Sequence, residues 1–152
     1  MHWYTRIATD LSVIPDFISH HQVQLDSAKK DVKIWGNIEK NIAALPGLTE
    51  QFFSQLQEIE AVLNFLNIQL RKIRRKHFQK YLEGYQRALT SRDAEKYVDG
   101  EDEVVDFEIL INEVALIRNM YLGVSKGLDH KSYMLGHIVR LRAAGLEDVS
   151  LN

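Results

Sequence analysis

Arg71, Lys72, Arg74, Arg75, Lys76 and Lys80 bring six cations into residues 71–80, and no acid lies among them. Phe78, Tyr81 and Tyr85 fall within that cluster or just past it. Positive charges at such density repel one another until an anion arrives, and the i to i+4 acids that support a merely solvated helix face are missing. Rings beside cations suit single-stranded nucleic acid, because exposed bases stack on aromatic faces while phosphates sit on lysine and arginine. The cluster therefore reads as a nucleic-acid-binding surface. A solvated helix face is the plainer alternative, and Tyr81 and Tyr85 fit equally well as a continuation of a packing seam.

Other chemistry has little support. The chain contains no cysteine, which excludes a disulfide framework, thiol catalysis and thiolate metal sites together. No Gly-rich phosphate loop, nucleophile elbow, paired-carboxylate site or metal-ligand spacing occurs, so neither catalysis nor a metal or other cofactor is expected. His20 and His21 point about 100° apart on a helix and read as solvated rather than chelating. His130 and His137 lie two turns apart, roughly 10 Å, too far to share one zinc. They read as surface or core-edge histidines.

Long helices must position the cluster. Phe52, Leu56, Ile59, Leu63, Leu66, Leu70 and Ile73 alternate steps of four and three, an apolar seam that calls for a partner helix. That seam belongs to a helix expected over residues 49–90, opening at Thr49 after a Pro46–Gly47 stop. Phe107, Leu110, Val114, Ile117, Tyr121, Val124 and Leu128 form a second seam of matching length, in a helix expected over 104–145 with Gly145 at its C-cap. Folding the chain at a 91–103 loop pairs the two seams antiparallel and buries both. Upstream, Trp3, Ile7, Leu11 and Ile14 mark a short amphipathic helix that docks on the bundle or on a neighbouring subunit, or else frays. Ile18, Leu25, Ala28, Val32, Trp35 and Ile42 then share one face of a helix running from an Asp16 cap to about Leu45. The expected class is all-α: a single domain over residues 1–152, made of a long antiparallel, coiled-coil-like hairpin with N-terminal helices in residues 1–45.

A length of 152 residues suits one domain with a modest core. No apolar run approaches the roughly 18 residues of a membrane span, and no membrane partner is expected. The first ten residues lack a basic and then apolar export signal, so the expected location is cytoplasmic. A net charge of −2 conceals strong segregation: residues 71–96 hold nine basic and three acidic side chains, and residues 97–113 hold none and seven. Local density governs polyanion binding, so the first of these blocks matters more than the total. The acids of 99–108 complement the dipole at a helix N-terminus or await a basic partner.

KIRRKHFQKYLEG, RALTSRDAEKYVDGEDE and DHKSYMLGHIVRLRAAG together resemble the UvsY type of phage recombination mediator over about residues 70–145. Lys76 matches the family's lysine, Gly84 its glycine, Val98, Asp99 and Gly100 its helix start, and Ser132 with Tyr133 its late step. The family's arginine falls on Phe78, with Arg74 and Arg75 nearby. The resemblance implies a non-enzymatic oligomeric ring that binds single-stranded DNA, displaces single-strand-binding protein and loads a RecA-like recombinase, in the cytoplasm of an infected bacterium. Self-association is assigned to the apolar seams and the C-terminal segment, with Tyr121, Val124, Leu128, Tyr133, Leu135, Ile138 and Leu141 as its residues. The rival class is a helical scaffold or adaptor whose basic face meets an acidic protein surface.

Overall fold

The structure is a computed structural model that describes residues 2–84 and 88–146, and among these the regular elements are all helical. α1 covers Trp3–Thr9, and a single 3₁₀ turn covers Leu11–Val13. α2 (Ile14–Asp31), α3 (Ile38–Glu83), α4 (Ser91–Asp99) and α5 (Asp102–Ala143) follow. As expected of the two apolar seams, α3 and α5 pack antiparallel. Phe52, Leu56, Ile59, Leu63 and Leu66 are buried from α3, and Val114, Ile117, Tyr121 and Leu128 from α5. Phe107, Leu110 and Val124 pack at the edge of that core. Full burial of each large apolar side chain contributes roughly 1.5–3 kcal/mol, so this seam is the main stabilising interaction.

α2 completes a three-helix layer and runs parallel to α5, since His21 meets Tyr121 at one level and Asp31 meets Lys131 ten residues further along both helices. Gly127 permits the close approach: a Cβ there would lie 2.7 Å from a Val32 methyl. The N-terminal helix docks rather than frays, with Ile7 buried and the Trp3 ring edge-on to Phe17 at 5.8 Å. No described helix is long and apolar enough to cross a membrane.

Four expectations about elements need correction. The long helix begins at Ile38, where the Asn37 side chain accepts from the Lys40 amide at 3.2 Å, and it runs through Pro46 and Gly47. Proline inside a helix costs roughly 3 kcal/mol. Here the residue whose carbonyl loses its partner, Ile42, is exposed to water, while Leu45 and Leu48 pack against the core on either side. Thr49 lies mid-helix, its hydroxyl donating to the Leu45 carbonyl at 2.9 Å. The preceding helix ends at Asp31 rather than near Leu45, and Trp35 sits exposed in the connecting loop instead of in the core. Residues 91–99, read as loop, form α4 because Thr90 caps it: its Oγ1 accepts from the Asp93 amide at 3.2 Å and donates to the Asp93 carboxylate at 2.7 Å. At its far end α3 stops at Glu83, before the expected Thr90, and Tyr85 lies outside the described residues.

Candidate nucleic-acid interface

The 71–80 cluster divides around the axis of α3. Arg71 and Arg75 are one turn apart, and they are exposed together with Lys72. Among the described residues, no carboxylate pairs with any of these three. Arg74, Lys76, His77, Lys80 and Tyr81 meet α4 and the start of α5 instead. Arg74 reaches Asp99 at 2.6 Å and Glu108 at 3.6 Å. Lys76 lies 3.6 Å from Glu103, and Lys80 donates to Glu101 at 3.0 Å. His77, buried, places Nε2 2.7 Å from the Glu103 carboxylate. The expectation of six unneutralised cations is thus corrected to two groups, Arg71, Lys72 and Arg75 without carboxylate partners, and Arg74, Lys76 and Lys80 with them.

Two of these carboxylates, Glu101 and Glu103, are stabilised in their charged form. The Tyr81 hydroxyl and then the Lys80 ammonium hold Glu101 below the usual carboxylate range, and His77 does the same for Glu103. Tyr81 donates its hydroxyl to Glu101 and stacks on Tyr97 with centroids 5.2 Å apart, so one ring face is covered. The Lys80 ammonium lies 5.0 Å from the Tyr81 ring centre. Phe78 is half-buried and lines a cleft of about 310 Å³ with Arg74, Arg75, Glu95 and Val98. The Arg75 guanidinium and the Phe78 ring suit a flat ring carrying negative charge at its edge, whereas Arg74 is engaged by Asp99 and Glu108 and Glu95 opposes such a ligand.

Of the residues assigned to self-association, Tyr121, Leu128 and Leu135 are corrected to the protomer's own core, where they are buried. Val124 packs at its edge, and Ile138 is half-buried. Tyr133 and Leu141 are exposed, with the Tyr133 ring edge-on to His137 at 4.4 Å. A different apolar face of α5 is open: Val105, Ile109, Leu116, Met120, Met134 and Leu141 are all exposed. They follow one another at steps of four, seven and fourteen, which keeps them on one side of a helix.

Asp99, Glu101, Glu103 and Glu108, whose sequence position suggests only a dipole complement or a partner contact, are the counterions of half the cluster. The signal was present in the charge blocks: an antiparallel hairpin turning near residue 90 sets residues 71–80 beside 99–108. Among the described residues, no group of three or more His, Asp or Glu side chains is placed to hold a metal ion. No protein-family model, curated protein sequence or solved structure matches the chain.

Proposed function

We propose that the chain is a non-enzymatic, homo-oligomeric protein that binds single-stranded DNA, loosens a single-strand-binding protein coat and loads a RecA-like recombinase. The observation that carries this reading is the outer face of α3, where Arg71, Lys72 and Arg75 stand exposed, with no carboxylate partner among the described residues, beside the Phe78 cleft. Unneutralised cations next to an aromatic wall match the two demands of a flexible strand, phosphate pairing and base stacking. Three cations bind weakly alone. The exposed apolar stripe of α5 supports self-association, and several weak sites sharing one strand gain effective concentration enough to compete with a coat protein.

Labelled oligonucleotide binding across a salt series tests the reading. Log affinity is expected to fall with log salt by about 0.7 per neutralised phosphate, and changing Arg71, Lys72 and Arg75 together to Ala is expected to make the slope shallower by about 2. Changing Arg74, Lys76 and Lys80 instead is expected to flatten it less. Binding that ignores salt, or none at all, overturns the proposal. One observation favours the adaptor reading in its place: Arg74, Lys76 and Lys80 already pair with the carboxylates of Asp99, Glu103 and Glu101, which supports a face suited to acidic protein surface. Capture of an acidic protein by a chain that leaves oligonucleotide untouched would decide for it.

A further inference from the structure

The loop between α2 and α3 presents a tryptophan to solvent and holds it there. Trp35 is 64% exposed, unusual for the side chain with most to gain from burial. Its loop is nonetheless tightly fastened. Lys131, buried on α5, donates to the Asp31 carbonyl at 2.6 Å. Asn41, also buried, donates to the Trp35 carbonyl at 2.7 Å and the Asn37 carbonyl at 2.8 Å. Gly36 supplies the turn with φ of 70°, a conformation that side chains disfavour. Burying a lysine is costly, and desolvation lowers the Lys131 pKa accordingly. Two buried polar side chains thus fix a loop whose largest residue points outward.

The surroundings are positive. Trp35 lines a cleft of about 220 Å³ with Lys30, Lys40 and Lys131, and exposed Lys33 stands two residues before it. The nearby acids are Asp31, which lines the same cleft, Glu39 in the first turn of α3, and Asp26, which lines the neighbouring α2–α5 groove together with Lys33 and is paired with Lys29. Among the described residues, no carboxylate pairs with Lys30, Lys33 or Lys40. An open indole within a lysine cluster is the pairing that a single strand recognises, one base on the ring and adjoining phosphates on the ammonium groups. A docking face for another copy of this chain would not require such charge.

We infer that Trp35 with Lys30, Lys33 and Lys40 forms a second contact for single-stranded nucleic acid, at the opposite end of α3 from the 71–80 cluster. The inference rests on the proposed strand-binding function and extends it. From Lys40 to Arg71 is roughly 45 Å along the helix axis, so one strand engaging both contacts runs along the rod or passes between subunits.

Tryptophan emission tests the contact directly, because the chain has two tryptophans and Trp35→Phe identifies the signal of one. Titration with oligothymidine is expected to quench the wild type and to leave the Trp35→Phe variant nearly unchanged. Trp35→Ala is expected to weaken binding roughly five- to hundredfold, the range for losing one stacked base. Changing Lys30, Lys33 and Lys40 to Ala is expected to make the salt slope shallower by about 2 while circular dichroism stays native. If the oligonucleotide binds in a manner that depends on Arg71, Lys72 and Arg75 while Trp35 emission and Trp35→Ala affinity do not change, this inference fails and the proposed function stands. If the wild type binds no oligonucleotide, both fail. Emission that follows protein concentration rather than added strand also overturns the inference, since it means that a second copy covers the ring.

Discussion

His21 is the residue whose environment departs furthest from its sequence reading. It is buried rather than solvated, with Nδ1 2.7 Å from the Tyr121 hydroxyl and its ring edge-on to Phe17 at 4.5 Å. Nε2 is also buried and, among the described residues, has no hydrogen-bond partner. Burial, and secondarily the neighbouring His20, lowers the His21 pKa to about 4 from 6.5. The fold therefore favours the neutral ring, whereas the unfolded chain takes up its proton first. Its contribution to stability is complete above pH 6.5 and is lost as pH falls toward 4, by on the order of 3 kcal/mol. Urea midpoints are expected to drop between pH 6.5 and 4.5, and His21→Gln is expected to remove most of that dependence. Glu101 and Glu103, with pKa values held below 4.5, give up their contributions only below that range. Tyr121→Phe deprives the buried imidazole of its partner and is expected to cost about 1–3 kcal/mol in chemical denaturation. Nothing in the His20–His21 pair itself distinguished the exposed ring from the buried one; position 21 is buried because Tyr121 faces it from α5.

At the scale of elements, close approach and charge pairing across helices decide what local pattern could not. Gly127 lies against Val32, so Gly127→Ala must displace a stiff β-branched side chain, at an expected cost of about 1–3 kcal/mol. Gly136, on the same helix, has open space where its Cβ would be, and Gly136→Ala is expected to stabilise by about 0.5–1 kcal/mol. Thermal unfolding of the two variants should move in opposite directions. The counterions of α3 make a second contrast. Asp99, Glu103 and Glu108 are all substantially exposed, so their ion pairs are weak and salt-screened and can yield to phosphate. Asp99→Asn with Glu103→Gln and Glu108→Gln is expected to raise oligonucleotide affinity and steepen its salt dependence. An unchanged slope would show that Arg74 and Lys76 take no part in binding. Both seams were legible in the sequence because a four-three apolar spacing belongs to one helix alone. The Pro46 passage was not, because what offsets the proline is packing of Leu45 and Leu48 on other elements.

The whole molecule is a rod with two apolar sides on one helix. α5 buries Val114, Ile117, Tyr121 and Leu128 toward α2 and α3 and exposes Ile109, Leu116, Met120 and Met134. A helix apolar on opposite faces is suited to burial between neighbours. Ile109→Glu with Leu116→Glu is expected to reduce the particle mass measured by light scattering, with helix content preserved and oligonucleotide avidity lowered. Unaltered mass in that variant would count against self-association through this stripe. By itself, the sequence determined the helical class, the pairing of two seams and the location of the densest positive charge, because each follows from spacing along one segment. The tertiary structure alone decided which of the cluster's cations lack a carboxylate among the described residues, which apolar residues of α5 stay exposed, and that Trp35 faces water. Each of those depends on what another, distant segment brings within a few ångströms, and no periodicity within one helix encodes its neighbour's side chains.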